Sequence, residues 1–150
     1  MDRKRFLKTL EFAIQNEAEA RKFYRRASDI AGDGALKKLF LELSKEEAKH
    51  QAMLERFRSV PGKSIRFEAV PEKLLPEKLG PFPEGDLPIV EALRLAMKKE
   101  EEARDLYAGL ARGLKDPEEK KLFLDLAAME MGHRQLLLNA YTEAGFTEGD

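Results

Sequence analysis

Two short segments of the chain pair a glutamate with a histidine three residues later, and together they hold both of its histidines. Glu47 precedes His50, and Glu130 precedes His133. Because residues three apart on an α-helix lie on one face, each pair can bind one metal ion through a carboxylate oxygen and an imidazole nitrogen. The two pairs therefore predict two helical metal-binding motifs.

An internal repeat adds a further glutamate to each pair. Residues 17–54 align with residues 100–137 without a gap, and the alignment matches Glu17 with Glu100. Agreement across a helix, a turn and a second helix predicts two related helical hairpins, each of which supplies half of a binding site. The predicted metal ligands are Glu17, Glu47, His50, Glu100, Glu130 and His133.

Four helices must position these residues, and the predicted fold class is all-α. Gly32-Asp33-Gly34 interrupts the periodic pattern between the first two helices. Asp86 is the expected N-cap of the third helix, with Pro88 in its first turn, and Asp116 is the expected N-cap of the fourth. The predicted helices cover 3–31, 35–58, about 87–113 and about 117–144.

A proline-rich connection at about 59–86 joins the second helix to the third. Short turns within 3–58 and within 87–144 predict two antiparallel hairpins. A connection of this length can run the full height of a helical bundle. We therefore expect residues 1–150 to form a single domain, an antiparallel four-helix bundle with one long crossover between helices 2 and 3.

The four glutamates occupy the seam of each helix, which we define as the core-facing positions spaced three and four residues apart. An ionised carboxylate that is buried without a partner costs several kcal/mol, and no lysine or arginine lies on the seams. Two divalent ions would balance the four negative charges, so the pattern predicts a dinuclear site. Tyr24 and Tyr107 share the seams and are expected to hydrogen-bond to the ligands.

Several neighbouring residues have weaker predictions. Glu46, Glu101 and Glu102 point off the seam, so we expect them to be solvated or to contact a ligand side chain. Methionines such as Met97 and Met129 are expected to fill the core.

The site residues resemble those of the diiron domain of rubrerythrins, a family of the ferritin-like superfamily. The resemblance implies a ferritin-like bundle in which Glu47 and Glu130 bridge two iron ions. It also implies that the remaining four residues each bind a single ion. The residues that carry the resemblance are Glu17, Ala20, Arg21, Tyr24, Glu47, His50, Glu100, Glu130 and His133.

The resemblance implies a non-haem diiron oxidoreductase that reduces hydrogen peroxide, or O₂, and so counters oxidative stress. Electrons would come from an external donor such as a rubredoxin-like protein, because the chain has no cysteine for a rubredoxin-type iron site and is expected to be a short form without that domain. One position departs from the family. Rubrerythrins carry an additional glutamate where this chain has Ala103, and that glutamate exchanges with a histidine during the redox cycle.

Other functions and partners stay open at this point. Manganese or a mixed pair could replace iron, since imidazole and carboxylate donors suit both metals. The alternatives are a ferroxidase that handles iron, and a non-redox dimetal-binding helical module. We expect a homodimer, with hairpins exchanged between chains in one version of it.

Composition excludes several classes of partner. The chain has 27 basic and 28 acidic residues, so we expect no nucleic-acid partner, which would need a clustered basic excess. No run of about 18 apolar residues exists, so we expect no membrane span. The absence of cysteine is compatible with a reducing compartment, and the expected localisation is cytoplasmic.

Overall fold

The computed structural model describes residues 2–32, 34–59, 65–67 and 80–146. It confirms the predicted all-α fold. The four helices are α1 (Arg3–Ala31), α2 (Ala35–Arg58), α3 (Ile89–Arg112) and α4 (Pro117–Glu143). In the part of the chain that the structure describes, none of these helices carries an apolar stretch that would span a lipid bilayer.

Local signals explain the ends of α1 and α4. The Asp2 carboxylate accepts a hydrogen bond from the backbone N–H of Arg5, and α1 ends at Gly32, whose φ of 76° favours glycine. Asp116 caps α4 as predicted, because its carboxylate accepts from the backbone N–H of Glu119 at 3.0 Å. Pro117 occupies the first turn, where a missing N–H costs nothing.

The predicted start of α3 is wrong. The helix begins at Ile89, and Pro88 rather than Asp86 occupies the N-cap position. The ψ angle of Pro88 is 147°, which is extended, so this residue cannot form part of the first helical turn. Its carbonyl accepts the first helical hydrogen bond, from the N–H of Ala92 at 2.9 Å, and no side chain caps the helix.

The helices pack as two hairpins, α1 with α2 and α3 with α4, which meet mainly along α1 and α3. One apolar cluster at one end of the bundle surrounds Phe6, Leu54 and Phe123, and a second at the other end surrounds Phe40 and Leu93. Along every helix the seam glutamate lies between residues of the first cluster and residues of the second. The bundle therefore places all four carboxylates in one layer at mid-height.

The direction of the helices requires the long crossover. The carboxyl end of α2 lies in the cluster around Phe6, whereas the amino end of α3 lies in the cluster around Leu93. Phe67 packs on Phe6 with ring centroids 5.3 Å apart, and Phe82 packs on Phe23 at 5.6 Å. The described parts of the connection thus lie at opposite ends of the bundle, whereas 60–64 and 68–79 of the predicted crossover lie outside the described residues.

One core prediction is also wrong. Met97 is buried, but Met129 is 41% exposed. Met129 directly precedes the seam residue Glu130 on α4, and a step of one residue turns a side chain about 100° around the helix axis. Its apolar side chain therefore faces outward rather than into the core.

Candidate metal centre

The six residues predicted as metal ligands converge in one buried layer. Each of the four helices contributes a glutamate, and α2 and α4 add a histidine each. The exposed fraction is 2% or less for every glutamate and for His50, and 8% for His133. The layer between the two apolar clusters is therefore dominated by carboxyl and imidazole groups that bulk water does not reach.

The donor atoms form two overlapping groups, and the atoms within each group lie within 4.8 Å of one another. Glu47 and Glu130 belong to both groups. Glu17 and His50 complete the first group, whereas Glu100 and His133 complete the second. Two metal ions placed in these groups would share two carboxylates, and each would have one further carboxylate and one imidazole.

Each histidine contacts the shared glutamate of the opposite hairpin. The Nδ1 atom of His50 lies 2.7 Å from Oε1 of Glu130, and Nδ1 of His133 lies 3.0 Å from Oε1 of Glu47. The imidazole planes are nearly parallel, at 8°, with their centroids 5.6 Å apart. The sequence repeat therefore appears in space as two equivalent half-sites that interlock across the bundle.

The hydrogen bonds predicted for the two seam tyrosines are present, and both join the hairpins. The hydroxyl of Tyr24 donates to Oε1 of Glu100 at 2.5 Å, and the hydroxyl of Tyr107 donates to Oε1 of Glu17. Burial, followed by the charge of these glutamates, raises the pKa of both tyrosines well above its usual value. Both hydroxyls therefore remain donors and hold one oxygen of each glutamate in place.

Three of the four carboxyl groups resist ionisation in the metal-free protein. Burial, followed by the charge of Glu47, raises the pKa of Glu17 well above its usual value. Burial and the charge of Glu17 do the same to the pKa of Glu130, and burial with the charge of Glu100 raises that of Glu47. Burial also opposes ionisation of Glu100, but hydrogen bonds with Glu130 and His133 outweigh it and lower the pKa of Glu100.

The two histidines differ in their protonation. Burial lowers the pKa of His50, so this ring is neutral near pH 7. Burial acts in the same direction on His133, but its hydrogen bonds to Glu100 and Glu47 dominate and raise the pKa to about 10. The raised pKa values of Glu17, Glu47, Glu130 and His133 therefore all favour the protonated forms of these groups in the metal-free layer.

The donor set fits a pair of iron or manganese ions. Atom Oε2 of Glu17 and atom Oε2 of Glu100 are buried and have no hydrogen-bond partner, so each is an oxygen that an ion could use. Four carboxylates with two imidazoles, and no thiolate, suit metals that prefer oxygen and nitrogen donors. An ion bound beside Glu17 or Glu100 would therefore give the unpaired oxygen of that glutamate a partner.

The sequence predicted Glu46 to be solvated or to contact a ligand side chain, but it did not predict that Glu46 lies near both histidines. Its carboxylate and nitrogens of both imidazoles form a third group within 4.8 Å of one another. The spacing of four residues between Glu46 and His50 puts both on one face of α2 and could have indicated that the two side chains lie close together. The other off-seam acids pair with cations, Glu101 with Arg134 at 2.6 Å and Glu102 with Lys99 at 3.3 Å.

Comparison with known proteins finds one family and two similar structures. The family model described as Rubrerythrin matches residues 8–78 and 91–149. A hypothetical protein from Pyrococcus furiosus is 32% identical, with a TM-score of 0.73, and the match covers 91% of this chain and 88% of that one. A Thermotoga maritima protein described as a ferritin-like diiron-carboxylate protein is 26% identical, with a TM-score of 0.70, over 91% of this chain and 93% of that one. No curated protein matches the sequence.

Proposed function

The chain belongs to the rubrerythrin family, and from that premise we propose that it is a diiron redox protein that reduces hydrogen peroxide, or O₂, with electrons from an external donor. The observation that carries the proposal is the buried layer of four glutamates and two histidines in two groups that share Glu47 and Glu130. The similar Thermotoga maritima protein, which is described as a ferritin-like diiron-carboxylate protein, supports iron as the metal.

We propose a symmetric division of the ligands. Glu47 and Glu130 would hold both ions, because each belongs to both donor groups. Glu17 and His50 would hold one ion, and Glu100 and His133 would hold the other. Both histidines would use Nδ1, since that atom faces the shared glutamates.

The protein side chains then do three things for the reaction. Two ferrous ions, when bound, supply the two electrons that convert hydrogen peroxide and two protons into two water molecules. The Tyr24 and Tyr107 hydroxyls orient Glu100 and Glu17, so each of these carboxylates offers one fixed oxygen. The apolar clusters on both sides exclude bulk water from the layer, which strengthens every charge interaction within it.

The electron donor and the assembly are part of the same proposal. We propose a separate rubredoxin-like protein as the donor, a homodimer as the assembly and the cytoplasm as the location. Ala103 is 3% exposed and packs in the cluster around Phe6, so no carboxylate is available at the position of the family's additional glutamate. The exchange of that glutamate with a histidine is therefore not available to this chain.

A peroxide titration of iron-loaded protein tests the proposed activity. Protein loaded anaerobically with two Fe(II) ions per chain should oxidise rapidly with one hydrogen peroxide per chain and recover when a reductant is added. The ultraviolet–visible spectrum reports both steps, and zinc-loaded protein is the control. Oxidation without recovery, with excess iron accumulating in a large assembly, would indicate the ferroxidase alternative. No spectral change at full iron loading would contradict a redox function.

Tyr107→Phe should weaken metal binding about tenfold to 100-fold, because loss of the hydroxyl frees the Glu17 carboxylate to move. The ring still fills its place in the core, so we expect little change in the helix content. Competition titrations with a chelating dye measure the affinity. Tyr141→Phe is the matched control, since Tyr141 is equally buried but its hydroxyl contacts Arg94. Equal affinities for the two variants would show that the Tyr107 hydroxyl does not position the ligand.

A further inference from the structure

Among the described residues of the buried layer, one side chain is more exposed than the others. The side chains of all four seam glutamates in the layer are 3% exposed or less, and that of His50 is 1% exposed. His133 is the exception, with 10% of its side chain exposed. An ion that enters the proposed dinuclear site where the layer is most exposed would therefore pass the imidazole of His133.

Glu46 lies near this imidazole and reaches solvent. Its side chain is 37% exposed, and its carboxylate lies 3.2 Å from Nζ of Lys49 on the outside of α2. An oxygen of the same carboxylate lies within 4.8 Å of a nitrogen of His50 and of a nitrogen of His133. Glu46 thus connects the solvent to both imidazoles, which none of the buried glutamates does.

The imidazole of His50 has a donor atom to spare. Both Nδ1 atoms face the shared glutamates, so the Nε2 atoms lie on the opposite edge of each ring. The Nε2 atom of His50 is buried and has no hydrogen-bond partner, and the side chain that carries it is only 1% exposed. A buried polar atom without a partner is costly, and a ligand at this position would satisfy it.

We propose that Glu46, His50 and His133 form an outer capture site for a divalent transition-metal ion on its way into the dinuclear site. This inference rests on the proposed function. One carboxylate with two imidazoles is a donor set that binds such ions with positions left open for water. The exposed carboxylate attracts the hydrated cation, and the two imidazoles replace part of its water before it enters the layer. Since each ring also belongs to one inner group, the ion can pass to either inner position while it keeps one of the two imidazoles as a ligand.

The exposed carboxylate of the capture site occurs in only one half of the internal repeat. The repeat-related position of Glu46 is Met129, which is exposed and carries no charge. The six inner residues are repeated, whereas the outer carboxylate is not. Glu46 is therefore not required by the symmetry of the inner site, which is consistent with a separate role in metal entry.

Rates of Co(II) uptake test the proposal, followed by stopped-flow absorbance as the ion exchanges water for protein donors. Metal-free Glu46→Gln protein should take up Co(II) at least about tenfold more slowly than metal-free wild type, while the final stoichiometry stays at two ions per chain. Glu42→Gln is the matched control, because Glu42 is one turn away on α2 and pairs with Lys45 as Glu46 pairs with Lys49. It removes the same charge without a contact to the histidines, and we expect the wild-type rate.

Three other outcomes of this experiment would each overturn the capture site. Equal uptake rates for Glu46→Gln and wild type would overturn the capture site and leave the inner site intact. Equal slowing by Glu42→Gln would assign the effect to net charge and would also overturn it. Failure of the wild-type protein to bind two Co(II) ions would overturn the dinuclear site and the capture site together, so the two failures are distinguishable.

Discussion

Glu130→Gln is expected to abolish paired metal binding and, at the same time, to stabilise the metal-free protein at about pH 8. Glu130 belongs to both donor groups, so its loss affects both proposed ions. An amide carries no charge and binds divalent ions poorly through its oxygen. We expect the affinity for the metal pair to fall at least about 100-fold, measured by competition with a chelating dye.

The opposite effect on stability follows from the burial of this carboxyl group. Burial, followed by the charges of Glu17 and Glu47, raises the pKa of Glu130 well above its usual value. At about pH 8 the folded protein must either bury another negative charge or keep a proton that the unfolded chain releases, and both lower the free energy of unfolding. The neutral amide avoids both, so we expect a gain of about 2–4 kcal/mol in urea unfolding of chelator-treated protein.

A surface substitution separates this effect from a general change of charge. Glu42→Gln removes the same charge on α2 from a side chain that is 67% exposed, and we expect its affinity and stability to match the wild type. If Glu130→Gln bound two ions with unchanged affinity, Glu130 would not be a shared ligand. If it destabilised the metal-free protein, the carboxyl group would contribute more through hydrogen bonds than it costs through burial.

Most of the fold follows from local features of the sequence. The end of α1 and the start of α2 match their predicted positions. Gly32 and Gly34, which lie between the two helices, both adopt positive φ values that only glycine takes easily. The start of α3 could not be placed as well. Pro88 is compatible with either a first helical turn or an extended N-cap residue, and no local signal in the sequence distinguishes the two.

The residues of the buried layer could be predicted because the internal repeat singles them out. The contacts that these residues make between helices could not be predicted. Periodicity places Tyr24 and Tyr107 on the seams but does not say that each reaches a glutamate of the opposite hairpin. Glu46 shows the same limit. Its own helix explains the proximity to His50, but the contact with His133 depends on how closely α4 approaches α2.

The metal-free protein is expected to lose stability as the pH rises from about 7 to about 9, whereas the metal-loaded protein keeps it. The pKa values of Glu17 and Glu130 are raised well above their usual range, and that of His133 is raised to about 10. A raised pKa in the folded state means that the group holds a proton which the unfolded chain gives up. Its contribution to stability is complete below the unfolded-state pKa and is lost as the pH rises through the folded-state pKa.

Among the groups of the buried layer, those with a raised pKa in the folded state make the stability depend on pH between about pH 7 and about pH 9. His50, with its lowered pKa, is neutral in both states above about pH 7, and Glu100 is ionised in both. Each group that keeps its proton only when folded lowers the free energy of unfolding by about 1.4 kcal/mol per pH unit. We therefore expect a total loss of at least about 3 kcal/mol between pH 7 and pH 9 in the chelator-treated protein.

Metal binding should release the same protons, because a ligand must be deprotonated before it binds an ion. Calorimetric titration at about pH 7 in buffers of different ionisation enthalpy measures this release, and we expect Glu17, Glu130 and His133 to contribute to it. The affinity should therefore rise with pH over the range in which stability of the metal-free protein falls. Glu17→Gln removes one of these protons and is the matched test, with exposed Glu19→Gln as its control. A heat of binding that is the same in every buffer would show that the folded layer holds no displaceable protons, and that its carboxylates are ionised before the metal arrives.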